Sequence, residues 1–458
     1  MLKGWFFNFV YLLALLVCSP VLFYRAAVQG KYREGWKQKF FGRIPKRNAV
    51  LGNQCEWPAT KVIWIHAVSV GEVLILRNFL KQIKESQPNW HCVISTTSKT
   101  GMDTARKNFS DDYRVFYCPL DFTWAVSKAM QRLRPDVLIL VEQELWPNLI
   151  AAAKKRDAKV AVVNGRFSEK GYKHTLWLRP FLRSMFRQLD LVAVQSETYA
   201  GWFRRLGTSS NAIRVTGSMK FDGACTDASN PATLKLWQDA GFDEDDVVFL
   251  AGSTQAPEET MAVECFEHLS REFPRLRLVI VPRHPERFEE VAAMLNSKGG
   301  FWERRSHWKD SSPQKTERPR ILLVDTVGEL SAWWGTAAIA FVGGSIGKRG
   351  GQNMIEPAAY GAAVSFGPNT KNFQSVTDLM LQEEVAQVVN DQLEMEQFVR
   401  RCLEQPDFAG EMGNKAKELT KRQLGATRRT LEYLDSLFQK EDDGDSGIDK
   451  ITTSILAQ

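Results

Sequence analysis

The sequence predicts an α/β protein of two doubly wound domains behind an apolar N-terminal segment. Three observations predict it. Short strand-like apolar runs alternate with amphipathic segments of helical period along most of the chain, the pattern of a parallel sheet covered on both faces. The alternation stops at Ala224-Cys-Thr-Asp-Ala-Ser-Asn-Pro231, a polar stretch bearing a proline, and then resumes. Trp5 to Phe23 carries no charged residue at all. At 458 residues the chain is also too long for one ordinary core.

Residues 1–47 read as a membrane anchor and a basic juxtamembrane segment. The uncharged run covers about the thickness of a bilayer as a helix, at roughly 1.5 Å per residue. It is long for a secretory signal, holds Pro20 and continues into Tyr24-Arg25, so an uncleaved anchor is expected. Between Arg25 and Arg47 the basic residues Arg25, Lys31, Arg33, Lys37, Lys39, Arg43, Lys46 and Arg47 face the single acid Glu34, and this block accounts for the net charge of +7. Such a block stays in the cytoplasm and attracts anionic lipid, so the partner implied is a membrane surface and not a nucleic acid. Whether the anchor spans the bilayer or lies in its interface is open at this point.

Residues 48–223 form the first expected domain. Its strand-like runs are Val62 to His66, Cys92 to Thr96, Val115 to Cys118, Val137 to Val141, Val160 to Val163, Leu191 to Val194 and Ile213 to Val215. Amphipathic segments such as Leu74 to Lys84 and Trp124 to Leu133 lie between them. A linker is expected at 224–233. The second domain, 234–440, repeats the pattern with Val247 to Ala251, Leu276 to Val281, Ile321 to Val324, Ala338 to Val342 and Ala363 to Phe366, and Met412 to Lys440 has the composition of long helix. Residues 441–458 open on an acidic, glycine-bearing stretch expected to be disordered. The seven cysteines form no CxxC pair and no cluster with histidine, which argues against a disulfide framework or a zinc site. Cys92 and Cys118, inside apolar runs, read as core residues.

The unusual polar residues fall just after strands, where doubly wound sheets bind their ligands. HAVSVGEV, His66 to Val73, places small residues and Glu72 at a strand-to-helix turn, with a helix expected from about Val73. Ser95 to Gly101, Pro119 to Asp121, Glu142 to Pro147, Asn164 to Ser168 and Thr216 to Asp222 follow later strands. Taken one at a time, such clusters are mostly turn and cap chemistry. Glu72 is thus either a helix-start charge suited to the macrodipole or a group facing a ligand. Glu142 and Glu144 repel one another at a strand mouth and lose hydration if buried, which calls for a cation. Lys220 and Arg166 are the available partners, in a structural ion pair or in a cluster around a polar substrate.

The second half has a more anionic ligand in view. Gly252-Ser253-Thr254 ends a strand before a helix expected near Glu258, a geometry that aims backbone N–H groups at a phosphate or carboxylate. Arg283, His284 and Arg287 follow the next strand, and the glycine-rich stretch Gly343 to Gly351 leads into Asn353-Met354-Ile355-Glu356. Its spacing matches neither a Walker A loop nor GxGxxG. Glu356 is either a first-turn charge or an acceptor for ribose hydroxyls. The residues alone reach an enzyme with an anionic, nucleotide-bearing ligand in the second half and a polar acceptor near Glu72.

In this order the clusters resemble the 3-deoxy-D-manno-octulosonic acid (Kdo) transferases of lipopolysaccharide synthesis. The resemblance runs through HAVSVGE, TTSKTG, PLDF, EQELWPNL, NGRFS, TGSMKFD, GST, VPRHPERF, GEL, FVGGSI and GGQNMIEP, from the anchor to about Phe373. It implies a GT-B glycosyltransferase, two Rossmann-like doubly wound domains facing a cleft, anchored to the cytoplasmic face of the inner membrane. It implies inverting transfer of Kdo from CMP-Kdo to a lipid A precursor, with no metal and no cofactor beyond the donor. The family's base falls on Glu72 and its transition-state stabilisers on Glu142 and Lys220. Its CMP contacts fall on Pro282, Arg283, Gly328, Glu329, Leu330, Asn353, Met354, Ile355 and Glu356, with Ser253 and Thr254 as further donor contacts. Two departures stand out: Gln255 and Gln352 occupy places where the family often has histidine, and glutamine carries neither proton nor charge. A solute-binding protein of two hinged α/β domains, a transferase for another sugar nucleotide, and an epimerase of the same architecture are the competing readings.

Overall fold

The computed structural model describes residues 2–28, 34–51, 60–308 and 321–439. Lys31, Arg33, Cys55 and the acidic stretch 441–447 lie outside the described residues. The chain divides into two compact units, Met1–Asp222 with Gly425–Gln458, and Gly223–Leu424.

The first unit holds seven parallel strands: β1 (Lys61–His66), β2 (Trp90–Thr96), β3 (Arg114–Tyr117), β4 (Val137–Val141), β5 (Lys159–Gly165), β6 (Leu191–Val194) and β7 (Ile213–Val215). Their order across the sheet is β3-β2-β1-β4-β5-β6-β7. Alternate residues feed two cores, as a period of two requires. Val62 and Trp64 of β1 join Leu138 and Leu140 of β4 on one face. Ile63 and Ile65 join Val137 and Ile139 on the other. Both faces are covered, so the strands read as continuous apolar runs.

The second unit repeats the plan with β8 (Val247–Thr254), β9 (Leu276–Pro282), β10 (Trp302–Arg304), β11 (Ile321–Leu323), β12 (Ile339–Val342), β13 (Ala363–Phe366) and β14 (Ala386–Val388) in the order β10-β11-β9-β8-β12-β13-β14. The edge strands β10 and β14 have three residues each and no run of apolar character, so they gave no sequence signal. Chain order reverses between β1 and β4 in the first sheet and between β8 and β12 in the second, which marks each crevice where a doubly wound sheet takes its ligand.

Three expected boundaries are corrected. The last residues of the expected linker are already helix, because Pro231 starts Pro231–Ala240 and the Asn230 side chain caps it by accepting from Thr233 N–H at 3.0 Å. The expected long helix from Met412 is two helices, Pro406–Gln423 and Ala426–Gln439, parted at Gly425 with φ +81°. The second of them belongs to the first unit and not to residues 234–440. Asp222 holds its start by accepting from Gly425 N–H at 2.7 Å and Thr427 N–H at 2.5 Å, and Ala426, Leu431 and Leu434 enter the first unit's core.

The N-terminal helix α1 (Leu2–Val28) is long and apolar enough to cross a membrane by length and composition. A short helix α2 (Trp36–Phe41) follows it.

Candidate active site

β1 turns through Ala67–Ser69 into the helix Val70–Ser86, three residues earlier than expected. Ser69 explains the early start. Its hydroxyl oxygen accepts from Glu72 N–H at 3.2 Å, while Glu72 Oε1 accepts the Ser69 hydroxyl at 2.7 Å and Oε2 accepts Val68 N–H at 2.8 Å. This reciprocal pairing is a capping box, so the helix-start role of Glu72 is present. The same bonds also fix a carboxylate that is only 8% exposed beside the switch point. Behind it, the hydroxyls of Thr96 and Ser98 donate to Val68 O at 3.2 and 2.7 Å, so the TTSKTG stretch braces the turn. Burial raises the Glu72 carboxyl above its ordinary range; its bonds to Ser69 and Val68 oppose this and Glu142 adds to it.

Glu142 ends β4 in the left-handed region, φ +59°, a conformation that costs a non-glycine residue roughly 1 kcal/mol or more. Its carboxylate is buried. Oε2 accepts from Arg166 Nε at 2.7 Å, and Oε1 faces Lys220 Nζ at 3.3 Å and Asn164 Nδ2 at 3.4 Å. Both candidate cations are therefore engaged. Asn164, fully buried and also left-handed at φ +54°, accepts Met219 N–H on Oδ1 at 3.0 Å and Gln195 Nε2 on its carbonyl at 3.1 Å. One side chain and its peptide thus tie together the carboxyl ends of β4, β5 and β6 and the loop after β7. Glu144 completes the cluster, accepting from Trp146 Nε1 at 3.1 Å. Burial first, then Glu72 and Glu142, push its carboxyl up to about 7, against the pull of the Trp146 bond.

The remaining motifs of this unit are chiefly architectural. Asp121 of PLDF caps the helix Pro147–Lys154, accepting Asn148 N–H at 3.0 Å and Leu149 N–H at 2.7 Å. Ser168 of NGRFS caps Glu169–Trp177. His66 is wholly buried, and burial lowers its imidazole to about 4, so it stays neutral at ordinary pH. Cys92 and Cys118 are buried, as their apolar runs implied. A pocket lined by Ile83, Lys84, Trp90, His91, Tyr113 and Arg114 lies toward the opposite strand ends and contains none of the candidate residues.

In the second unit, Ser253 stands at φ +56° and Gly343 packs backbone to backbone on the same turn; a Cβ there would lie 2.6 Å from Thr254 Cα. Glu258 controls the loop that follows. Its Oε2 accepts Gln255 N–H at 2.9 Å and Gly344 N–H at 2.7 Å, and its Oε1 accepts Ser345 and Ile346 N–H, each at 2.9 Å. These amides of the glycine-rich loop are thus occupied by a protein carboxylate. Arg287 is likewise committed, gripping Glu259 at 3.0 and 3.3 Å.

The nucleotide candidates gather beside these turns. Glu356, mostly buried, accepts Asn353 Nδ2 at 2.8 Å, and the Asn353 side chain in turn accepts Ile355 N–H at 3.1 Å. Burial raises the Glu356 carboxyl; Asn353, then the charge of Arg283, then Ser331 oppose it. Those causes bring Arg283, Ser331, Asn353 and Glu356 into one neighbourhood. Gly328, at φ +96°, makes the turn before Glu329, which accepts Arg305 Nη2 at 2.9 Å and the Thr326 hydroxyl at 2.5 Å; Leu330 opens the short helix behind it. Met354, Ile355 and Pro282 are buried. Gln255, one of the two departures from the family pattern, has its Nε2 buried with no hydrogen-bond partner among the described residues.

Sequence reading missed Asn164 as a site residue and Glu258 as a loop clamp. The Asn-Gly dipeptide at 164–165 was a signal for a left-handed residue. Little local marked Glu258, three of whose four amide partners lie more than 80 positions away.

Two parallel seven-stranded sheets with polar clusters at their switch points define a GT-B protein. MurG from Acinetobacter baumannii shares the fold at a TM-score of 0.53 and 13% identity, over 82% of this chain and 99% of its own. So does a UDP-GlcNAc 2-epimerase from Neisseria meningitidis, at 0.50 and 12% identity over 82% and 100%. Residues 34–223 match the family model 3-deoxy-D-manno-octulosonic-acid transferase (kdotransferase). A 3-deoxy-D-manno-octulosonic acid transferase of Bordetella pertussis is 31% identical over 93% of this chain and 98% of that protein. One from Haemophilus influenzae is 28% identical over 94% and 99%. The chain belongs to the Kdo transferase family of glycosyltransferases.

Proposed function

We propose that this enzyme transfers Kdo from CMP-Kdo to a lipid A precursor resembling lipid IVA, with inversion and without a metal, on the cytoplasmic face of the inner membrane. The observation that carries the reading is the buried group at the first unit's switch point, Glu72 fixed by its capping box beside Glu142 held between Arg166 and Lys220. A sugar hydroxyl is a poor nucleophile. As its oxygen bonds to the anomeric carbon of Kdo, the bond to CMP breaks on the opposite face, the phosphate keeps the electron pair, and Glu72 takes the hydroxyl proton. A raised carboxyl pKa suits that step, because it strengthens the base near neutral pH.

CMP leaves as an anion. In the second unit Arg283, beside Glu356, supplies positive charge that stabilises it; in the first unit Lys220, held in place by Glu142, supplies positive charge at the switch point. Glu356 and Asn353 suit ribose hydroxyls, and the turns at Ser253–Thr254, Pro282 and Gly328–Leu330 frame the nucleotide. An apolar anchor keeps the enzyme at the surface where its lipid acceptor resides.

The test is Kdo transfer from CMP-Kdo to a lipid A precursor in detergent, read by mass. Glu72→Gln keeps an acceptor oxygen for Val68 N–H and loses the base. A folded variant slower by about 10²- to 10⁴-fold supports the assignment. Full activity in Glu72→Gln, or no transfer by the wild type, refutes it.

A further inference from the structure

The two flanks of α1 decide how it meets the membrane. At its first turns, Asn8 is 2% exposed and exchanges bonds with Thr123, Nδ2 donating to the hydroxyl at 2.7 Å and Oδ1 accepting the peptide N–H at 3.0 Å. Tyr11 donates to Asp121 Oδ2 at 3.0 Å, and Phe6 stacks on Phe181 with centroids 5.9 Å apart. Beyond the other end, Glu34 accepts the Tyr117 hydroxyl at 3.2 Å, Gln38 accepts Tyr117 N–H at 2.9 Å, and Lys39 O accepts Leu120 N–H at 2.8 Å. These hydrogen bonds of both flanks therefore fall on one short stretch of the first unit, Tyr117 to Thr123.

A single membrane crossing puts the two flanks of a helix on opposite sides. From Tyr11 to Val28 the helix runs about 25 Å, less than the roughly 30 Å of hydrocarbon. Five residues, two of them Lys31 and Arg33, then join Val28 to Glu34, a connection of at most about 20 Å. A return crossing by that segment would drag two cations through hydrocarbon. The middle of α1 is nevertheless built for lipid: Phe9, Leu13, Leu16 and Val17 are each more than half exposed. Pro20 leaves Leu16 O without its helical donor, and the Ser19 hydroxyl supplies one at 2.7 Å, so no backbone carbonyl is bared there. Exposed Trp36 and Trp124 flank the docked ends, with exposed Lys37 and Arg43 near them, the residue types of an anionic interface.

We propose that α1 lies in the plane of one leaflet, latched to the first unit through Asn8 and Tyr11, with its N-terminus on the same side of the membrane as the catalytic units. This rests on the reading that the enzyme is membrane-bound, and the experiment separates the two. The full chain, with cleavable tags at both ends, is made in a Gram-negative host, and its membranes are floated on a density gradient. Failure to float overturns membrane binding itself. Floated membranes, as sealed inverted vesicles and as right-side-out spheroplasts, are then treated with protease. Cleavage of both tags from the cytoplasmic side is the expected result; an N-terminal tag cleaved only from the periplasmic side overturns the in-plane arrangement. In Asn8→Leu/Tyr11→Phe the latch is gone and the apolar run is extended, so a measurable fraction of N-terminal tags crosses over. Unchanged sidedness in that variant removes the latch from the proposal.

Discussion

Gly101→Ala tests whether the TTSKTG stretch positions Glu72, the proposed base. A Cβ at Gly101 lies 2.5 Å from Val68 O and 2.5 Å from Thr96 Oγ1, where ordinary contact begins near 3.4 Å. The obstruction includes a backbone carbonyl and not just a side-chain tip, so Val68 must retreat by close to 1 Å. Val68 N–H is a hydrogen-bond donor to Glu72, and the displacement passes to the carboxylate. A misplacement of about 1 Å in a catalytic group costs on the order of 10²-fold in rate. Stability changes less: overpacking costs about 1–3 kcal/mol, partly offset by the gain of up to about 1 kcal/mol on replacing a helical glycine. The assay is steady-state kcat and KM for CMP-Kdo, with Gly201→Ala as control because its Cβ meets nothing within 4 Å. The expected result is a kcat lower by about 10²-fold with KM for the donor unchanged. Wild-type kcat in a folded Gly101→Ala would refute the argument.

The ion cluster and the acid cluster each allow a further check. Lys220→Met leaves Glu142 with one cation, Arg166, and the Asn164 amide, and should cost about 1–3 kcal/mol in urea unfolding, part of it recovered in Glu142→Gln/Lys220→Met; strictly additive variants would show that the contact contributes nothing. Glu144, pushed up to about 7, gives kcat a rise as pH passes through 7, since its ionisation eases proton removal by Glu72; the rise should vanish in Glu144→Gln. The same raised pKa makes the folded state bind the extra proton, so Tm should fall between about pH 4.5 and 7 in the wild type and less in the variant.

The sheets were legible because both faces of nearly every strand are buried, leaving runs such as Val137–Val141 with no polar interruption. β10 and β14 were not, being three-residue edges whose pairing comes from neighbours. The motifs marked the right places but not the jobs done there. Asp121 and Asp222 look like ligand groups in sequence, yet each serves helix amides supplied by residues 27 and about 200 positions away. Glu72 was poised between a helix-start charge and a group facing a ligand, and sequence could not choose because the same carboxylate that closes the helix start also sits buried beside the switch point. The helix Ala426–Gln439 was assigned to the second domain because sequence order carries no information about which sheet a terminal amphipathic helix covers.

Glu258 has a consequence for the economy of binding. A loop whose amides wait for a phosphate must be organised by it, and part of the ligand's affinity is lost in that ordering. Here the three amides of Gly344 to Ile346, with that of Gln255, already close on a resident anion, so the loop holds its shape whether or not a nucleotide is present. A nucleotide bound at this loop would meet a finished surface, and free phosphate finds those amides taken.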